Sequence, residues 1–182
     1  MKKTGLLSIF LLLTVMSLQG GIVKIGAFAG YFATADKQFK ETYSEGDVIY
    51  GVKLGFRVYK GLSLWVSGGQ FKGTGETSLL GDITNITVNP IDLSVRYTFR
   101  LGAFNPYLEG GFTYIYFNET SDIGDTKSEG KGYFLSIGGE IKLSSHFSID
   151  IGAKISRAKV NPKGEDVELG GTQAGLSLLI AL

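Results

Sequence analysis

Apolar and polar residues alternate with a period of two along most of the chain, the mark of strands whose two faces meet different surroundings. Residues 50–69, YGVKLGFRVYKGLSLWVSGG, show it most clearly. Tyr50, Val52, Leu54, Phe56 and Val58 form one row, and Lys53 and Arg57 fall in the other. Lys60-Gly61 breaks the run, then Leu62, Leu64 and Val66 resume it, which predicts a β-hairpin. Eight such runs follow one another, over 22–35, 48–59, 62–73, 88–101, 107–117, 132–143, 147–158 and 169–182. None reads as a helix, because a 3.6-residue period is missing and glycines punctuate the apolar stretches.

The connections alternate in length. Lys60-Gly61, 102–106 and 144–146 are short turns, whereas DKQFKETYSEGD, TGETSLLGDITNIT, NETSDIGDTKSEGK and KVNPKGEDVE are long and polar. Short turns therefore gather at one end and long loops at the other. The expected fold is all-β, an eight-stranded antiparallel up-and-down barrel, with strand ends 22 and 182 both at the short-turn end. At 182 residues this is one domain, expected over 21–182.

Alternation alone leaves open which face lies inside. A soluble barrel packs apolar side chains inward, and a membrane barrel turns them outward. The apolar rows are free of charge: Ile91, Leu93, Val95, Tyr97 and Phe99 on the fourth run, Leu135, Ile137 and Ile141 on the sixth. Packed inward, so many large residues would overfill an eight-stranded barrel. The opposite rows combine small residues with charges of both signs. They carry Gly51, Lys53, Gly55 and Arg57; Ser63, Trp65 and Ser67; Asp92, Ser94, Arg96 and Arg100; Glu140 and Lys142; Asp150, Gly152 and Lys154. A solvated exterior favours long charged and β-branched residues over glycine, whereas a narrow interior needs small groups and paired charges. The polar rows are thus expected inside, which makes the strands transmembrane. Lys53, Arg57, Asp92, Arg96, Arg100, Glu109, Glu140, Lys142, Asp150 and Lys154 are expected to form an ion-pair network that fills and plugs the lumen. In the first run, Val23, Ile25, Ala27, Ala29 and Tyr31 are assigned outward, leaving Phe28 and Phe32 inward. Outward tyrosines and phenylalanines near each strand end fit the aromatic belts of the two water–lipid boundaries.

Composition narrows the partners. Only 19% of residues are charged, thin cover for a soluble surface, and the net charge of +1 offers no basic field for nucleic acid. Cysteine is absent, so disulfides and thiolate chemistry are excluded. Lys2 and Lys3, an apolar run over 6–15 and then small and polar residues give residues 1–20 the three-part pattern of a secretory signal peptide, with Ser17 and Gly20 both open as cleavage-site residues.

With these residues in place, the chain resembles the small bacterial outer-membrane β-barrels of the OmpA/OmpX type. The most specific stretch is NPYLEGGFTYIYF, residues 105–117, a turn ending in Pro-Tyr followed by a glycine-containing strand with alternating aromatics. The closing TQAGLSLLIAL is similar to the family's last strand, although Leu182 stands where family members usually carry a terminal aromatic. The resemblance implies residence in the bacterial outer membrane, contact with its lipid, and assembly by the barrel-insertion machinery. It implies no catalytic motif, because it is one of architecture.

Sites of chemistry are few. His146, the one histidine, shares a strand face with Ser148, but it falls in a short turn, far from any outer-leaflet substrate. The inner carboxylates share their space with lysines and arginines, which favours structural pairing over acid–base catalysis. GTGETS lacks the lysine of a phosphate loop, and Asp122, Asp125 and Glu129 lack EF-hand spacing. No enzyme activity, cofactor or metal is expected. The reading is a monomeric outer-membrane barrel with a largely plugged lumen, whose loops serve structural, adhesive or interaction roles with an unidentified partner. A soluble secreted barrel holding an apolar ligand and a lipid-modifying membrane enzyme are the alternatives.

Overall fold

The computed structural model describes residues 23–36, 46–77, 82–121, 124–161 and 167–182. The segment expected as a signal peptide and most of the first long loop lie outside them. Eight long strands form: β1 (Val23–Thr34), β2 (Asp47–Tyr59), β3 (Leu62–Thr77), β4 (Asp82–Thr98), β5 (Phe104–Ser121), β6 (Gly124–Lys142), β7 (Phe147–Val160) and β9 (Gly171–Ala181). A two-residue strand, β8 (Val167–Glu168), adds to the end of β7. Sequential antiparallel pairing runs from β1 to β7, β7 pairs with β9, and β9 pairs with β1 from Lys24↔Ala181 to Thr34↔Gly171. That last ladder closes the barrel, and the expected eight-stranded up-and-down topology is the one that forms.

The first and third short turns fall where the sequence placed them, and the second comes earlier than expected, over 99–103, because Phe104, Asn105 and Pro106 already belong to β5. Lys60 takes a positive φ of 39°, and the Gly61 carbonyl accepts from the Thr98 amide. Gly102 turns the chain from β4 to β5 with φ 104°, a conformation that a side chain would strain. In the β6–β7 turn the Ser144 hydroxyl oxygen accepts from the His146 and Phe147 amides. The strand ends meet at this end of the barrel, where the Leu182 amide donates to the Val23 carbonyl.

The apolar rows face outward. Leu93, Phe112, Leu135, Ile155 and Leu176 are 56%, 73%, 71%, 66% and 59% exposed, far beyond what a soluble domain leaves in one continuous band. β1 follows the assigned parity, with Ile25 and Tyr31 outside and Phe32 buried. The band has a defined upper edge. Tyr133 pairs across β6–β7 with Arg157, next to the Lys131–Lys159 pair, and on the other side Tyr50, Gln70 and Asn89 are linked by side-chain hydrogen bonds of 3.2 and 2.8 Å. Exposed Tyr97, Phe99 and Phe147 mark the lower end, the first two edge-to-face at 5.0 Å.

Two of the four long loops are not loops. Most of TGETSLLGDITNIT and NETSDIGDTKSEGK is strand, so β3–β4 and β5–β6 continue as hairpins beyond the barrel wall. A transmembrane strand needs about 9–11 residues, and β5 and β6 have 18 and 19. These extensions carry polar residues outward, as in the cross-strand Thr74–Asn85 hydrogen bond of 3.1 Å, which hid their strand character. Their inner rows bring large apolar residues inward beside buried Thr84 and Thr126, so the interior expected to be mainly polar has an apolar level as well. Phe32, Ile49, Phe71, Ile86, Val88, Ile115, Phe117, Ala158, Val160 and Leu169 form one buried cluster across the long-loop end. The barrel therefore has two interiors, a polar one toward the short turns and an apolar one above it.

Candidate functional site: a charged lumen beneath an apolar cap

The polar interior is built around Arg96, whose inward parity on β4 places it on the row of Asp92 and Ser94. Glu109 is its direct cross-strand neighbour on β5. The guanidinium binds Glu109 through Nη2 at 2.6 Å and Nε at 2.7 Å, and reaches across the lumen to Asp150 on β7 at 2.8 Å. It lies between two aromatic rings, 4.3 Å from the Trp65 centroid and 3.7 Å from that of Tyr107. Planar stacking and forked hydrogen bonding are properties of arginine that lysine lacks. The Tyr107 hydroxyl donates to the other oxygen of Asp150 at 2.8 Å, and the Ser94 hydroxyl donates to Glu109 at 2.6 Å.

Glycine makes this possible. To reach Asp150 from β5, the Tyr107 side chain crosses Gly138 on β6 and Gly152 on β7, which are cross-strand partners. A Cβ at either position would collide with the phenol oxygen. Two successive strands must present bare backbone for the ring to lie along the wall.

The remaining charges form separate pairs around this hub. Lys53 meets Asp150 at 3.4 Å, Lys154 meets Asp92 at 2.9 Å, and Lys24 meets Glu140 at 2.5 Å. Ser67 also donates to Asp92, at 3.2 Å. Lys53 sits 5.7 Å from the Phe28 ring and Lys154 5.1 Å from that of Phe134, so apolar rings shield both ammonium groups. Unpaired, charges buried this deeply would each cost several kcal/mol, about the scale on which buried ion pairs are broken. Only a small space remains among these groups.

Of the ten residues expected to interact in the lumen, seven are joined in these contacts: Lys53, Asp92, Arg96, Glu109, Glu140, Asp150 and Lys154. Arg57, Arg100 and Lys142 are not. Among the described residues they form no ion pair, and they line a second cavity at the short-turn mouth. Lys24, Trp65 and Tyr107 belong to the cluster but were not among the ten. Each had the right parity: Tyr107 stands two residues before Glu109, and Trp65 lies between Ser63 and Ser67.

The other candidate chemistry stays apart. The His146 ring nitrogen Nδ1 lies 2.8 Å from the Ser145 hydroxyl in the exposed turn, while Ser148 is buried, and no hydrogen bond joins His146 to Ser148 among the described residues. Glu129 accepts from the Tyr114 hydroxyl on the exterior, and Asp122 lies outside the described residues.

With an outward apolar band, a paired polar lumen and eight closed strands established, the comparisons with known proteins become specific. Residues 6–178 match the family described as outer membrane protein beta-barrel domain. The chain belongs to this family. It is a β-barrel protein of the bacterial outer membrane. Among solved structures, this barrel is similar to Neisserial surface protein A, with a TM-score of 0.72 at 14% identity over 88% of this chain and 97% of that one. The outer membrane protein OprG of Pseudomonas aeruginosa gives 0.68 at 15% identity, over 90% and 97%. Ail, the attachment invasion locus protein of Yersinia pestis, gives 0.53 at 12% identity, over 90% and 97%. No curated protein sequence matches the chain. At these identities the likeness to the solved structures is one of fold.

Proposed function

We propose that this outer-membrane barrel is a closed one, whose lumen is blocked and whose projecting hairpins carry its activity at the cell surface. The observation that supports this reading is a charge-paired cluster centred on Arg96 beneath an apolar cluster that spans the long-loop end. Either tier obstructs hydrated ions, the first by filling the bore with immobilised side chains and the second by excluding water. An open aqueous channel also belongs to barrels of about 16–18 strands. In this reading the short turns face the periplasm and the β3–β4 and β5–β6 hairpins stand outside, in structural, adhesive or interaction roles. The attachment role carried in the name of Ail supports a surface function for a barrel of this shape. Residues 1–20 act as a cleaved signal peptide, the insertion machinery assembles the barrel, and it works as a monomer without enzyme activity.

Conductance tests this reading. The folded protein in a planar bilayer is expected to show no steady channel above the background of protein-free membrane. A stable, reproducible conductance step from the purified monomer would overturn the closed lumen.

A further inference from the structure

The mouth at the short-turn end is a recess whose charges do not balance. Lys24, Arg57, Arg100 and Lys142 line it with a single carboxylate, Glu140, and Lys24 already holds that carboxylate at 2.5 Å. Lys60 also lines it but sends its ammonium over the Tyr59 ring, 5.3 Å from the centroid. The deeper lumen is different: Lys53, Arg96 and Lys154 there answer Asp92, Glu109 and Asp150. The chain neutralises its charges in mid-barrel and leaves four cations without an ion pair at the mouth, among the described residues: Arg57, Arg100 and Lys142, and Lys60 with its ammonium over the Tyr59 ring. Arg100 is fixed by donating to the Lys60 carbonyl, and Ser63 and Thr98 add hydroxyls to the same wall. Like charges confined by low-dielectric walls focus a field that draws in anions, and guanidinium forks bind phosphate oxygens with paired hydrogen bonds.

We propose that this mouth binds a multivalent phosphate-type anion, gripped by Arg57 and Arg100 with Lys142 at its edge. The anion enters from the short-turn end and stops there, because the Arg96 cluster closes the way inward. Its phosphate is either free in solution or the headgroup of a lipid at the rim.

The test is a titration of the folded full-length barrel in zwitterionic detergent with pyrophosphate, at constant ionic strength set by sodium chloride. The readout is internal: Trp65 is the chain's one tryptophan and lines the same cavity. A saturable change in its emission is expected. Arg57→Gln with Arg100→Gln should weaken it by about tenfold or more, given the strength of charge-assisted bonds. Lys72→Gln with Lys127→Gln removes equal charge at the opposite end and should leave it unchanged. Heat-dependent gel mobility verifies folding, and should the double arginine variant not fold, Lys142→Gln at the exposed strand end replaces it, with weaker binding expected. A response no different from that to chloride, or equal loss in mouth and control variants, overturns the site. Repeating the titration in phosphatidylcholine nanodiscs with and without phosphatidylglycerol separates the sources. Competition by the anionic lipid assigns the site to a headgroup phosphate, and an unchanged response assigns it to the free anion.

Discussion

The Arg96 guanidinium stacks 3.7 Å from the Tyr107 ring, and both groups bind the same carboxylate, Asp150. The neighbouring strands β4 and β5 are thereby tied across the lumen to β7, with which neither pairs in the sheet. Removing Arg96 takes the guanidinium from Glu109 and leaves Asp150 to Lys53 and the Tyr107 hydroxyl alone.

Arg96→Met is therefore expected to destabilise the barrel by about 3–5 kcal/mol, the scale of breaking a buried ion pair from one side. Arg96→Lys should recover part of this, because it restores the charge without the fork or the stack. Urea unfolding of the lipid-embedded protein, followed by Trp65 emission, measures both. Equal stability of wild type and Arg96→Met would show that the cluster contributes nothing net.

Gly152→Ala and Gly138→Ala should each displace the Tyr107 phenol from Asp150. Overpacking of this kind costs about 1–3 kcal/mol. The diagnostic is a double-mutant cycle on Gly152→Ala: with Tyr107 already truncated to alanine, the added methyl has room and most of the penalty should vanish, whereas at Gly138 the Ile151 carbonyl, which a Cβ there would also meet, should keep part of it. Additive losses would place the strain in the backbone instead.

Leu93→Lys puts a charge at the middle of the outward band and should cost about 2–4 kcal/mol, whereas Leu101→Lys, beyond the end of β4, should cost about 0–1 kcal/mol. Leu101 is the more solvent-exposed of the two, at 72% against 56%, so exposure by itself does not order them. Depth in the bilayer does. Folding yield into vesicles and the urea midpoint report the difference.

Replacing 75–84 with Asn-Gly should leave the barrel folded, because the transmembrane ladder between β3 and β4 runs from Leu62↔Tyr97 to Gly68↔Ile91, well below the cut. Heat-modifiable mobility of the shortened protein checks this. Its loss would mean that the hairpin helps to nucleate the barrel.

The sequence by itself determined the parity of the wall strands from β2 onward, leaving β1 open to a one-residue slip, and with that parity the fold class. One face could not hold its large apolar side chains in a bore eight strands wide, and the other could not leave its charges in lipid. It also placed Asp92, Arg96, Glu109 and Asp150 on a common inner face, since a period of two is a local property of extended chain. What it left undecided was depth and reach across the lumen. Arg57, Arg96 and Arg100 share one parity, yet only Arg96 lies level with Asp150 on a strand remote in sequence, and the other two end at the mouth. The hairpin extensions escaped notice for a related reason. Their outward faces are polar because they stand above the apolar band, and only the closed barrel shows that Phe71, Ile86 and Phe117 converge from three strands onto one buried cap. Alternation is written between neighbours in the chain, whereas the pairing of charges and the closing of a cap depend on barrel curvature and strand stagger, which bring distant residues to the same level.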